Sequence, residues 1–265
     1  MSPTPPTPRL LLVLFLKHSL DRVRKKVGRK VADKCAMIKC QCLDQETIKK
    51  WYDEQMEYPL QQSKSSFYLY RKILNHLHPK DGEPLLDVAC GTGLFLSAVE
   101  RETGALTYGL DISKSVHAAK RFSNSQLLMS SGENMPFICH SFRCVTILGS
   151  LEHFVNPEKG LDEIYRVAAD DASFCILVPN RHYLFGAGTT QPRELLLSLE
   201  GWMRVIESHG LKVDNVLQDD HPKYRINIFQ KKKLPSIIGR LLIKLIWALM
   251  PLDLTCDFIF ICHKK

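Results

Sequence analysis

Between Leu85 and Phe95 the chain reads LLDVACGTGLF, an apolar run that closes on Asp87 and Val88 and passes through two glycines into a second apolar stretch. This is the pattern of a buried strand entering a tight turn and leaving it as a helix. Glycines at 91 and 93 let the backbone turn sharply and approach a ligand closely. The first turn of the helix offers N–H groups that have no partner within the helix. A second acid, Asp111, ends the apolar run YGLD twenty positions after Gly91. An acid at the end of the second strand can accept the hydrogen bonds of a ribose diol. Together these features call for an open α/β sheet with a nucleoside-bearing ligand at its strand ends.

The rest of the sequence agrees with that architecture. Strands are expected at Leu85–Ala89, Leu106–Leu110, Gln126–Met129, Cys144–Leu148, Ser173–Val178, Leu211–Leu217 and Cys256–Cys262. Helices are expected between them at Gly93–Glu102, Ser113–Phe122, Pro157–Ala168 and Leu199–His209. Alternation of this kind gives a mostly parallel sheet with helices on both faces. The Cys256–Cys262 strand has no crossover helix directly before it, so it is expected antiparallel at one edge. Two further helices precede the sheet. One is capped by Asp44 and carries Ile48, Trp51 and Tyr52 on one face; the other covers Ser66–Leu77 with Tyr68, Ile73, Leu74 and Leu77 inward.

The glycine pattern separates two cofactor classes. A dinucleotide fingerprint is GxGxxG, the third glycine packing helix on strand. Here Asp87, Gly91 and Gly93 are followed by Leu94 and Phe95, and no third glycine comes. An acid within the turn would repel a pyrophosphate but suits an ammonium and a sulfonium. With these motifs in place, the stretch from Tyr68 to Val216 resembles the class I S-adenosylmethionine (SAM)-dependent methyltransferases, in the form of a methyltransferase type 11-like domain. DVACGTG is similar to the family's first motif and GLDIS to its second. GENMPF (132–137) resembles the segment bordering the adenine, CVTILGSLEHF (144–154) the fourth strand with its loop, and LDEIYRVA (161–168) the helix before the fifth strand.

The resemblance implies a Rossmann-like seven-stranded sheet of order 3-2-1-4-5-7-6 with the last strand antiparallel. It implies a SAM site at Asp87, Ala89, Cys90, Gly91, Thr92, Gly93, Asp111, Ile112, Ser131, Gly132, Glu133, Gly149 and Ser150. Ser131 stands where such enzymes often carry an Asp for the adenine amino group. The expected activity is methyl transfer to a small-molecule or lipid-linked acceptor, with oxygen slightly favoured as the nucleophile. A hydroxyl acceptor needs a base; His153, in the loop after the fourth strand, is the first candidate, and His221 and His182 follow. No Asn-Pro-Pro-Tyr-type motif follows the fourth strand, which argues against exocyclic-amine methylation. The alternatives are a non-catalytic binding protein on the same fold and a nicotinamide-dependent oxidoreductase.

Charge and hydropathy bear on partners. Residues 1–34 and 223–265 each carry a net +7 within a total of +8, so residues 35–222 are acidic at −6. A nucleic-acid enzyme would carry its basic face on the body, so nucleic acid is not expected as a partner. The two basic ends adjoin apolar runs, which points to an anionic membrane surface. As a helix, Lys231–Met250 places Ser236, Arg240 and Lys244 on one narrow stripe and seven large apolar residues around the rest. Residues 10–34 offer a second basic, apolar segment. No apolar run reaches the roughly 20 residues that cross a bilayer. Residues 1–43 are expected outside the core as a basic, apolar leader. The domain is expected over 44–265 with an amphipathic insert at about 218–254. Nine cysteines with no zinc-like spacing suit a reducing compartment, and no metal site is expected. The expected location is cytoplasmic, peripheral on the inner face of a membrane.

Overall fold

The computed structural model describes residues 44–54, 64–121, 123–182, 194–219, 252 and 255–265. The leader, the amphipathic run 231–250 and His221 lie outside these residues. Seven strands form one sheet: β1 (Pro84–Val88), β2 (Leu106–Asp111), β3 (Gln126–Met129), β4 (Phe142–Leu148), β5 (Ala168–Pro179), β6 (Leu211–Gln218) and β7 (Asp257–Lys264). Their order is β3-β2-β1-β4-β5-β7-β6, as expected. All pairs are parallel except β5–β7 and β6–β7, so β7 alone runs against its neighbours. Expected at an edge, it lies instead between β5 and β6, since its run is apolar at successive positions and buried on both faces.

The described helices are α1 (Gln45–Glu54), α2 (Lys64–Leu77), α3 (Leu94–Glu102), α4 (Ser115–Ala119), α5 (Pro157–Val167) and α6 (Leu199–Ser208). Strand periodicity divides the core into two layers. Leu86, Val88, Val145, Ile147, Phe258 and Phe260 meet Leu161, Ile164, Trp202 and Ile206 of α5 and α6. Leu85, Cys144, Cys175, Ile259 and Ile261 face the other way, onto Ile73, Leu77, Phe95 and Val99 of α2 and α3. Cys144, Cys175 and Cys262 are buried thiols packed as small apolar groups, whereas the buried Cys256 thiol turns to the Asp257 carboxylate.

Three sequence expectations change. Tyr68 is 70% exposed and not inward; α2 buries Ile73, Leu74 and Leu77 instead. The helix expected over 113–122 shrinks to Ser115–Ala119, because Ser113 is committed to the Asp111 carboxylate. The strand expected at Ser173–Val178 begins five residues earlier, directly after α5, where Ala168 pairs with Phe142. Asp44 does cap α1, accepting the Thr47 N–H at 2.8 Å.

The absent third glycine has a structural reason. Its position is Leu96, fully buried on α3. The room for that side chain comes from β2, where a Cβ on Gly109 would lie 2.6 Å from Leu96 Cδ1 and 2.8 Å from Cys90 Sγ. The small residue that allows close helix–strand packing sits on the strand here, not on the helix.

Candidate functional site

Strand order reverses between β1 and β4, and crevices at such switch points lie outside the carboxyl ends of the strands. A cavity of about 770 Å³ opens there. That size suits a drug-sized ligand with space beside it.

The β1 turn forms one wall. Ala89 takes a left-handed conformation (φ 56°) immediately after the strand, and the Cys90 N–H still bonds to Leu110 of β2. Gly91 (φ 52°) and Gly93 (φ 70°) complete the turn, closed by the Gly93 N–H to the Cys90 carbonyl at 2.9 Å. A Cβ at Gly91 would meet nothing within 4 Å, whereas one at Gly93 would lie 2.7 Å from the Ala119 side chain. Gly91 therefore keeps open space open, while Gly93 seats the turn against α4. Asp87, Ala89, Cys90, Gly91 and Thr92 line the cavity; Gly93 does not.

Asp111 and Ile112 line it from the end of β2. The Asp111 carboxylate organises the turn that follows, its Oδ1 accepting the Ser113 N–H at 2.8 Å and the Ser113 hydroxyl at 2.7 Å. Its Oδ2 accepts the Gly91 N–H at 2.8 Å. One lone pair at Oδ2 is left for a ligand hydroxyl. A diol using both oxygens needs the Ser113 hydroxyl to turn toward Ser115, 2.6 Å away.

Ser131, Gly132, Glu133, Gly149 and Ser150 also line the cavity. Gly132 is required by close approach: a Cβ there would lie 2.6 Å from the Phe154 ring. Glu133 faces the cavity but spends Oε1 on the Val155 N–H at 2.8 Å, and the Ser131 hydroxyl accepts the Glu133 N–H at 3.1 Å. Behind this wall, Arg166 donates to the Met135 and Phe137 carbonyls at 2.9 and 2.7 Å. Its partner Glu163 accepts the Met135 N–H. Their ion pair holds the Glu163 carboxyl below its usual range.

His153 lies in a short 3₁₀ turn after β4, largely buried, with Nε2 3.5 Å from Glu152 Oε1. Its ring meets Tyr52 edge-on at 6.4 Å between centroids. His153 and Tyr52 both line the cavity. His182 is half-buried beside Asn180, whose Oδ1 accepts its backbone N–H, and it is not part of the cavity wall.

Sequence reasoning missed several wall residues. Gln45, Ile48 and Tyr52 come from α1, and Asp219 and Asp257 from the ends of β6 and β7. These converge from segments far apart in the chain, so no local motif marks them. Asp219, Cys256 and Asp257 lie close enough together to be considered as cation ligands. Asp257 Oδ1 is already engaged by the Cys256 thiol at 3.3 Å.

The wall's charge is decidedly acidic. Among the described residues its only Lys or Arg is Arg121, against Asp87, Asp111, Glu133, Asp219 and Asp257. Asp87 is buried, and burial, moderated by a hydrogen bond from Thr146 and reinforced by the charge of Asp111, raises its carboxyl to about 7. A cationic ligand with a ribose fits this wall; a pyrophosphate does not.

Residues 86–176 match the family model for a methyltransferase domain. A demethylmenaquinone methyltransferase of Corynebacterium kroppenstedtii is 38% identical over 100 residues, which is 37% of this chain and 43% of that protein. An uncharacterized protein of Methanocaldococcus jannaschii is 32% identical over 136 residues, 50% of this chain and 52% of its own length. The chain thus spans about half the length of these relatives. Among solved structures, the methyltransferase in complex with the Trm112 activator of Haloferax volcanii aligns with a TM-score of 0.65 at 14% identity, covering 82% of this chain and 97% of that one. Geranyl diphosphate C-methyltransferase from Streptomyces coelicolor aligns with a TM-score of 0.62 at 11% identity, covering 83% and 98%. At these identities the likeness is one of fold.

Proposed function

We propose that this chain is a class I SAM-dependent methyltransferase, which binds SAM in the β1–β4 crevice and catalyses methyl transfer to a small or lipid-linked acceptor. The observation that carries the reading is the pairing of a buried, cavity-facing Asp87 beside the Gly91 turn with Asp111 at the end of β2, on an otherwise acidic wall.

When bound, SAM supplies an electrophilic methyl on a good leaving group. The chain's work is then alignment and exclusion of water. Asp111 receives a ribose hydroxyl, Asp87 faces the methionine ammonium, and the open face of Gly91 admits the ligand's backbone. Ser131, Gly132 and Glu133 border the adenine. His153 and Tyr52 stand on the acceptor side, where His153 Nε2 takes the proton from an oxygen nucleophile, with Glu152 stabilising the resulting imidazolium. The relatives named demethylmenaquinone methyltransferases support a lipid-linked quinone in its reduced, quinol form as the acceptor class, since only the quinol carries a hydroxyl proton for His153 to take. The basic, apolar run 231–250 suits the same class, since a peripheral enzyme would meet such an acceptor at an anionic bilayer. No described helix is long and apolar enough to cross a membrane.

Two measurements test this. Calorimetry should detect S-adenosylhomocysteine binding to the full chain, and NADH should give none. Labelled SAM incubated with the protein and a lipid extract should then yield a labelled, extractable quinone. Failure to bind S-adenosylhomocysteine rejects the cofactor. Binding without any labelled product from either lipid or aqueous extracts favours a non-catalytic member of the fold.

A further inference from the structure

We infer that Thr146, in the middle of β4, is the residue that positions the Asp87 carboxylate for the cofactor's ammonium group. The inference rests on the SAM reading above and extends it to a residue that touches no ligand itself.

Asp87 and Thr146 are register partners on the adjacent parallel strands β1 and β4. The Thr146 hydroxyl lies 2.7 Å from Asp87 Oδ1 and 3.3 Å from the Leu86 carbonyl, so its single proton goes to the carboxylate. Thr146 is fully buried. A valine would fill the same volume in a strand without the cost of a buried hydroxyl. The hydroxyl therefore has to be satisfied locally, and Asp87 is the group that satisfies it. With Oδ1 held, carboxylate rotation is arrested and Oδ2, which receives no donor among the described residues, is left to the cavity that Asp87 lines.

The surroundings give this one donor weight. Among the described residues, Asp111 of β2, Tyr70 of α2, Cys90 of the turn and Cys175 of β5 are titratable groups whose electrostatics couple to Asp87. None of them brings a positive charge. Burial and Asp111 both oppose ionisation of Asp87, and the Thr146 hydrogen bond opposes them in turn. Removing it leaves the carboxylate harder to ionise and free to rotate.

The test compares two ligands that differ only at the methionine end. S-adenosylhomocysteine carries the ammonium and carboxylate; 5′-methylthioadenosine has the same nucleoside and neither group. Thr146→Val should weaken S-adenosylhomocysteine about tenfold near neutral pH. It should leave 5′-methylthioadenosine unchanged. The deficit should shrink at higher pH, where Asp87 ionises without help, and Thr146→Ser should restore wild-type affinity. Thr146→Cys, with a weaker donor, should fall between, and it serves as the readout if the valine variant does not fold. Wild-type affinity in both Val and Cys variants overturns the proposal, as does an equal loss for both ligands. A wild-type chain that binds neither ligand overturns the cofactor reading and this proposal with it.

Discussion

The Gly91 N–H donates to Asp111 Oδ2 at 2.8 Å, so the turn after β1 and the acid at the end of β2 are one hydrogen-bonded unit. Substituting Asp111 therefore does two things at once: it removes the acceptor proposed for the ribose and releases the turn that borders the methionine end. Asp111→Ala should cost about 1–3 kcal/mol of SAM binding. Asp111→Asn should cost nearly as much, because its amide offers one acceptor oxygen where the turn and Ser113 need two. Calorimetric titration with S-adenosylhomocysteine measures both, and wild-type affinity in the alanine variant would refute the ribose assignment.

Gly91 tests the same unit from the other side. At φ 52° a side chain is strained by about 1–2 kcal/mol, yet a Cβ there meets no protein atom within 4 Å. Gly91→Val should thus fold, with a slightly lower melting temperature, and fail to bind S-adenosylhomocysteine because the isopropyl group enters the cavity. A folded variant with unchanged affinity would place the ligand elsewhere.

The elevated Asp87 carboxyl makes binding depend on pH. Its folded-state value of about 7 against an ordinary 3.8 follows first from burial, offset by the Thr146 hydrogen bond and augmented by Asp111. Between these values the folded protein holds a proton that the unfolded chain has released. The group's contribution to stability is then full below about pH 4 and is lost as pH rises through about 7. A cationic ligand binds the ionised form, so its affinity runs the opposite way, improving as pH rises through about 7 and then levelling. Calorimetry in buffers of different ionisation enthalpy should detect a proton released on binding below pH 7. Asp87→Asn should bind weakly and without that pH dependence; a flat wild-type profile would remove Asp87 from the site.

What could be read from the residues and what could not divide along a physical line. The β1 and β2 motifs were legible because buried strands and glycine turns are local patterns; the sheet order was not, and came only through the family that those motifs resemble. The antiparallel direction of β7 was legible too, but not its place: it lies between β5 and β6 and not at an edge, because a run apolar at almost every position is covered on both sides. Thr146 was not legible: a threonine in the run CVTILG is an ordinary strand residue until register sets it opposite Asp87. Tyr68 misled for a related reason, since a tyrosine at helical spacing satisfies the inward pattern whether or not a neighbour covers it. The Glu163–Arg166 clamp behind Met135 and Phe137 explains what the LDEIYRVA helix contributes to the wall proposed for the adenine, which spacing alone could not reveal.

Helix α1 is tied to the turn that follows β2. Asp53 Oδ1 accepts the Lys114 N–H at 2.7 Å, just past the Asp111–Ser113 turn, while its Oδ2 pairs with Lys49 at 2.6 Å. Helix α1 thereby brings Ile48 and Tyr52 to the cavity wall. Ile48 is the sole buried residue of this ten-residue helix. Asp53→Ala should lower the free energy of opening α1 by about 1 kcal/mol. Hydrogen exchange should then quicken across Gln45–Glu54 and leave β1 and β4 unchanged. S-adenosylhomocysteine should dissociate roughly fivefold faster with a similar association rate, because the helix covers the ligand after it enters. Exchange that stays at the wild-type rate in α1 would show that apolar packing of Ile48, and not the Asp53–Lys114 bond, keeps the helix over the site.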